Sequence, residues 1–297
     1  MSISDGELAR YDEDGAVVID TPFSSAELDR GEAAWDRLKV SGDWIDTDPD
    51  LVDMIQHPFM EEVARMVLRA NGVHLWWSLS THARPPWTEA FDSEAEQWAS
   101  GAHADIQATL EDFEATPRRM RAELWLWLND APVDRGAMRV LPGSHREIMA
   151  HWSRVLTDEH KAQLPRCHGL GPWPVPETSH AYPEHIPELR DLAWTDHEPT
   201  PVTARRGQLL VLCSAGLHSA WQNCDSVPRK ALLTSWIGAG VTGALPTSQR
   251  DSVIKRFPRL RERLRPERRH LVPDTFDWLL ESDYEPKWPE TFPPGHR

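Results

Sequence analysis

The sequence is short of cysteine, of basic charge and of long apolar runs, and each shortage closes off a class of protein. Its three cysteines, Cys167, Cys213 and Cys224, are an odd, scattered set with no metal-type spacing. They suggest reduced thiols in a cytoplasmic protein rather than a disulfide framework. Lysine and arginine number 32 against 47 aspartates and glutamates, for a formal net charge of −15. A protein that tracks nucleic-acid phosphates needs a basic face from which counterions are released, so no nucleic-acid partner is expected. No stretch is apolar for long enough to cross a membrane, and the first residues carry acids instead of a basic start and an apolar run. Neither a membrane span nor a secretory signal is expected. The one concentration of basic charge is Lys255, Arg256, Arg259, Arg261, Arg263, Arg265, Arg268 and Arg269. Glu262 and Glu267 interrupt it, and it reads as a solvated helix face in preference to an anion patch.

What is present is enough for a core. The 297 residues are 40% hydrophobic and 27% charged, a globular composition. No internal repeat or composition shift cuts the chain, so a single domain over 1–297 is expected: a helical part to about 72, a β core over about 73–240, and a helical and irregular extension from about 241.

A short strand is expected over Gly15–Ile19. Ser24-Ser25-Ala26-Glu27 reads as a capping box opening a helix to about Lys39. A second helix fits Pro58 to Ala70, with Phe59, Val63, Met66 and Val67 on one face and Asn71-Gly72 ending it. From Val73 the apolar period becomes two. Strands are expected at Val73–Thr81, Ala122–Leu128, Gln208–Leu212, Gly216–Trp221 and Lys230–Ile237, and Pro- and Gly-containing loops between them point to a jelly roll. Eight prolines fall between Leu164 and Pro201, where regular structure should be sparse. A helix is expected over about Ser248–Leu264 and an irregular tail beyond Pro286.

His103-Ala104-Asp105 sets an imidazole and a carboxylate two residues apart, on the same side of extended chain, where both can grip one metal. Alone the triplet arises often by chance. A third ligand could come from His218, in the strand-like segment Gly216-Leu217-His218-Ser219-Ala220-Trp221. Two histidines and one carboxylate make a facial triad suited to iron(II), with positions left for a bidentate cosubstrate and dioxygen, whereas zinc favours a closed tetrahedral set or one open position. Arg229, eleven residues beyond His218, could pair with the far end of a dicarboxylate; taken alone it reads more readily as a surface residue after the turn at Ser226-Val227-Pro228. Pro142-Gly143-Ser144-His145 reads as a structural turn, because adjacent serine and histidine side chains seldom face each other. Of the fifteen tryptophans, Trp76, Trp77, Trp125, Trp127, Trp221 and Trp236 lie in expected strands and read as core, with Trp221 the candidate to line a pocket.

Three blocks together resemble the phytanoyl-CoA dioxygenase-like (PhyH) family of iron(II)/2-oxoglutarate oxygenases. They are His103-Ala104-Asp105; Leu128-Asn129-Asp130 through Gly136-Ala137-Met138-Arg139-Val140-Leu141-Pro142-Gly143-Ser144-His145-Arg146; and Arg206-Gly207-Gln208 through His218, Asn223 and Arg229. The resemblance runs from the N-terminal helix-strand opening to about Ile237. It implies a mainly β fold, a cupin-like double-stranded β-helix with flanking helices. It implies non-haem Fe(2+) held by His103, Asp105 and His218, 2-oxoglutarate as cosubstrate with its C5 carboxylate on Arg229, and O2 as oxidant. Arg84, before Pro85-Pro86, stands where the family often has a basic residue near cosubstrate or substrate, a loop salt bridge being the alternative. The sequence departs from the family at Ala104, often polar, and at Ala220, often a small hydroxyl residue; each departure removes a hydrogen bond available to the cosubstrate.

The implied reaction is hydroxylation of a small natural-product or amino-acid-like molecule with release of succinate and CO2, under lids formed by loops 83–102 and 164–201. An acidic chain offers little to a coenzyme A thioester. The competing readings are a non-catalytic binding protein on the same scaffold and a cupin-type metal-dependent isomerase or hydrolase, in which Arg229 has no role. Substrate, oligomeric state and the choice among hydroxylation, desaturation and cyclisation are not written in the sequence.

Overall fold

Strands buried at every position need a layer on both sides, and Ala122–Trp127 is the clearest case. The structure is a computed structural model that describes residues 2–41, 44–84, 98, 107–108, 121–146, 168–169, 198–241 and 243–282, with backbone alone for 40–41, 77–84, 107–108, 168–169, 243–246, 248 and 280–282. In chain order the strands are β1 (Ala16–Ile19), β2 (Val73–Arg84), β3 (Gln107–Ala108), β4 (Ala122–Trp127), β5 (Met138–Val140), β6 (His168–Gly169), β7 (Thr200–Val202), β8 (Leu209–Cys213), β9 (His218–Ala220), β10 (Arg229–Gly238), β11 (Gly243–Pro246) and β12 (Leu279–Ser282). The helices are α1 (Asp5–Asp14), α2 (Ser25–Ser41), α3 (Pro49–Ile55), α4 (Pro58–Leu68) and α5 (Thr247–Arg263).

The main sheet has the order β1-β8-β4-β10-β2, antiparallel throughout, and faces a second antiparallel sheet, β7-β5-β9. This is the double-stranded β-helix expected from the sequence. Alternation sends Leu124, Leu126, Val211, Leu232 and Trp236 outward into one apolar cluster with Trp35, Phe59, Val63 and Val67 of the helices. Their neighbours Trp125, Trp127, Leu210, Leu212, Ala231 and Leu233 turn inward and pack with Met138 and Val140 of the facing sheet.

Six of the twelve strands, β3, β5, β6, β7, β11 and β12, were not expected from the sequence; β5 and β7, which belong to the facing sheet, are three residues long, too short for alternation to show. Regular structure was expected to be sparse up to Pro201; Pro201 itself lies within the three-residue β7, an edge strand, where a missing N–H breaks no ladder. Helix α4 ends before Asn71-Gly72: Arg69 takes the left-handed conformation at φ 47, held there by an ion pair with Asp12. Helix α1 was not anticipated, although Ser4 and Glu7 form the same reciprocal cap that Ser24 and Glu27 make for α2.

Most of the basic C-terminal run is a solvated face, as expected: Lys255, Arg259, Arg263, Arg265 and Arg269 are exposed, and Arg256 is the one that is buried. Arg256 is buried beside Asp46, Arg259 reaches the same carboxylate, Arg265 pairs with Asp53 and Arg268 with Glu61. These side chains fasten α5 and the turn after it to the N-terminal helical layer, where acidic partners distant in sequence absorb the charge.

Candidate active site

The turn at Leu141-Pro142-Gly143-Ser144 is built to hold the chain that carries His218. Ser144 is buried; its Oγ donates to the Leu141 carbonyl at 2.7 Å and accepts from the Leu217 N–H at 2.9 Å. The Leu141 N–H donates in turn to the Leu217 carbonyl, so the residue before His218 is clamped on both sides. His145 points away, toward α1: its Nε2 lies 3.1 Å from the Asp12 carbonyl and its ring sits against Gly15. Gly15 is at φ 78, and a Cβ there would come within 2.5 Å of the imidazole. The serine and histidine of this motif are thus structural, as the sequence suggested.

His218 is 2% exposed and pairs across the ladder with Val140, an inward-facing residue, which puts the imidazole on the inner face of the β-helix. Its Nδ1 lies 3.0 Å from the Gly216 carbonyl oxygen. A carbonyl can only accept, so Nδ1 carries the proton and Nε2 carries the lone pair, the tautomer a metal ligand needs.

Arg229 opens β10 and is 1% exposed. Alternation puts it on the inner face with Ala231 and Leu233. Its Nη1 donates to the Gly136 carbonyl across the barrel, and its guanidinium lies 5.2 Å from the centre of the Trp127 ring. Gly136 is at φ 71, a conformation glycine adopts without cost. Gly136 and Val140 are four residues apart on one segment, so the His218 and Arg229 positions are separated by no more than about 14 Å along it. The loop between β9 and β10 is set by the buried Asn223, whose side chain donates to the Val227 carbonyl and accepts from the Asp225 N–H. Arg135 pairs with Asp225 from outside.

His103 and Asp105 lie outside the described residues, as do loops 85–97 and 170–197. Among the described residues no group of three His, Cys, Asp or Glu could hold a metal ion. The backbone of Arg84 pairs with that of Arg229 in the β2–β10 ladder; its side chain is outside the description. Trp221 does not join the inward cluster. Its ring stacks on the Arg139 guanidinium at 4.0 Å, and Arg139 pairs with Ser219, whose side chain faces away from His218's.

Two inner-face features were not expected from the sequence. Glu123, 0% exposed, takes a hydrogen bond from Arg121 at 2.5 Å, and Trp127 stands beside Arg229. The signal was there in Ala122-Glu123-Leu124-Trp125-Leu126-Trp127: a charge sharing its alternate face with two tryptophans marks that face as something other than plain core.

The model of the phytanoyl-CoA dioxygenase (PhyH) family matches residues 39–231, about two thirds of the chain. No curated protein sequence matches. Among solved structures, the non-haem alpha-ketoglutarate-dependent carbocyclase SnoK from nogalamycin biosynthesis is similar at 18% identity and a TM-score of 0.51, over 80% of this chain and 85% of its own. The epimerase SnoN, in complex with Fe3+, alpha ketoglutarate and nogalamycin RO, is similar at 18% identity and a TM-score of 0.53, over 79% and 83%. EctD from S. alaskensis is similar at 15% identity and a TM-score of 0.51, over 80% and 77%.

Proposed function

The chain belongs to the phytanoyl-CoA dioxygenase family, and on that premise we propose that it is an iron(II)- and 2-oxoglutarate-dependent dioxygenase that hydroxylates a small molecule and releases succinate and CO2. The observation that carries the reading is the presence, on the inner face of one barrel, of a buried imidazole whose Nδ1 faces the Gly216 carbonyl and a buried guanidinium whose Nη1 donates to the Gly136 carbonyl. A structural core has no use for both. The resident chemistry fits: His218 supplies a neutral nitrogen ligand, and His103 and Asp105 are proposed to complete the set as imidazole and carboxylate. Iron and cosubstrate, when bound, supply the oxidising chemistry.

The chain's own residues bind, orient and exclude water. Gly216 fixes the tautomer and ring plane of His218, and the Ser144 turn fixes the strand that bears it. Arg229 receives the distal carboxylate of 2-oxoglutarate, and Trp125, Trp127 and the aliphatic side chains around them keep the interior dry, which strengthens that ion pair. Arg84 is proposed to lie near the same ligand. A small-molecule substrate accords with SnoN, held in complex with nogalamycin RO. No helix among the described residues is long and apolar enough to cross a membrane.

The test is an anaerobic titration of metal-free protein with iron(II) and then 2-oxoglutarate. A visible charge-transfer band of the chelate is expected, and it should be lost in His103→Ala, Asp105→Ala and His218→Ala. Folded wild-type protein that gives no band contradicts the proposal.

A further inference from the structure

Helix α1 buries only Tyr11, yet the carbonyls that end it hold the chain on either side of the approach to His218. The last four carbonyls of a helix have no partner within it. Here the Asp12 carbonyl faces Nε2 of His145 at 3.1 Å, the Asp14 carbonyl accepts from the Gly143 N–H at 3.0 Å, and that of the cap residue Gly15 accepts from the Cys213 N–H at 2.8 Å. A carbonyl only accepts, so Nε2 carries the proton and His145 is the donor. Its ring lies over Gly15 in space that a Cβ would take, 2.5 Å from Nδ1. Cys213 ends β8 and opens the turn over 213–217, which the Gly216 N–H closes on the Cys213 carbonyl. At the far end of that turn, Leu217 is held by Ser144 Oγ and by the Leu141 N–H, in the segment that His145 continues. One junction, residues 12–15, therefore grips the approach to His218 twice: directly at Cys213, and at Leu217 by way of Gly143 and His145. Of the three donors to this junction, His145 alone uses a side chain, so it alone depends on which residue stands there.

We propose that His145 is a positioning residue for the metal ligand His218: by donating to the end of α1 it fixes the turn through which Ser144 and Leu141 hold Leu217. The inference rests on the proposed function, in which His218 binds iron, and adds to it a route by which the N-terminal helix sets the affinity for the metal. A residue that only filled the space over Gly15 would be apolar and bury no ring nitrogen; the imidazole is kept for the bond it makes. Coupling of this kind runs both ways, so metal on His218 tightens the end of α1 by as much as α1 tightens the metal site.

The experiment compares wild-type protein with His145→Leu, which fills similar space without a donor, and His145→Gln, whose amide nitrogen reaches about as far as Nε2. Anaerobic titration gives the dissociation constant of iron(II), and a second titration that of 2-oxoglutarate on the iron-loaded protein. Amide hydrogen exchange follows residues 8–15 with and without iron(II). His145→Leu is expected to bind iron(II) about 10-fold more weakly, the low end for a residue behind a metal ligand, with 2-oxoglutarate affinity of the iron complex unchanged. His145→Gln is expected to recover most of that loss. In wild-type protein iron(II) should slow exchange over residues 8–15 beyond any slowing in α5, and the excess should shrink in His145→Leu. Should His145→Leu not fold, His145→Asn, whose amide stops short of the Asp12 carbonyl, is read in the same way. A folded variant without the donor that is less stable but binds iron(II) as wild type does overturns the proposal. Equal weakening in His145→Leu and His145→Gln overturns it too, because the donated hydrogen bond is then not what matters, and so does iron binding that leaves exchange over residues 8–15 unchanged. Wild-type protein that binds no iron(II) removes the proposed function and this inference with it.

Discussion

One hydroxyl does much of the positioning in this barrel. Ser144 Oγ bridges the Leu141 carbonyl and the Leu217 N–H, and both contacts are dry. Removing it leaves a buried N–H unpaired one residue from His218. Ser144→Ala is therefore expected to cost about 1–3 kcal/mol of stability and to weaken iron(II) binding while 2-oxoglutarate affinity for the remaining iron complex stays close to wild type. Urea unfolding and metal titration measure the two effects; loss of stability with unaltered iron affinity would show that the clamp does not reach the histidine. That His218 and Arg229 lie on strands was legible in the sequence; the roles proposed for them came from the family resemblance. The contact of the Gly216 carbonyl with His218 was not legible: it acts through backbone conformation, which no side-chain pattern reports.

Among the elements, the long strands of the main sheet were readable to within a few residues because they hold enough residues for a period of two, or an apolar run such as Leu209–Cys213, to show. Strands β5 and β7 of the facing sheet and helix α1 were not, since three residues hold too little period and α1 buries only Tyr11. In the basic run only the burial of Arg256 departs from expectation, because helical spacing says which residues share a face, not what that face meets. Asp46 is 3% exposed at its side chain and stands within 3.8 Å of Arg256, itself 10% exposed. Arg256 is capped on its other side by the Trp44 ring at 3.9 Å, and its burial lowers its affinity for a proton, opposed by Asp46. Asp46→Ala strands a dry guanidinium and is expected to destabilise by about 3 kcal/mol, the low end of the range for a broken buried pair because the contacts are long. Arg265→Ala, which breaks an exposed pair with Asp53, should cost less than about 1 kcal/mol. Equal losses in the two variants, measured by denaturant unfolding, would mean that the seam between α5 and the N-terminal layer is fastened by packing alone.

At the scale of the molecule, three histidines distribute a common sensitivity to acid. His57, His74 and His145 all hold their protons less tightly than an ordinary histidine of 6.5, in each case first because burial disfavours the charged ring. Glu27 beside His57, the His270 carbonyl beside His74 and the Asp12 carbonyl beside His145 oppose the shift without cancelling it. The unfolded chain therefore binds protons at a pH where the folded chain refuses them. Stability is full above pH 6.5 and is lost as pH falls from there through the lowered folded values. The carboxylates Glu27 and Glu61 add a further loss at lower pH, since their folded values lie below 4.5. His57 allows the sign to be checked at one residue. Its Nδ1 accepts from the Phe59 N–H at 3.2 Å to cap α4, which requires the neutral ring. Asparagine can accept the same bond and does not titrate. His57→Asn should match wild-type melting temperature at about pH 7.5 and fall less steeply between about pH 6.5 and 5. Melting curves across that range decide it: an identical acid slope in the variant would mean that His57 takes up its proton in the folded state as readily as in the unfolded one.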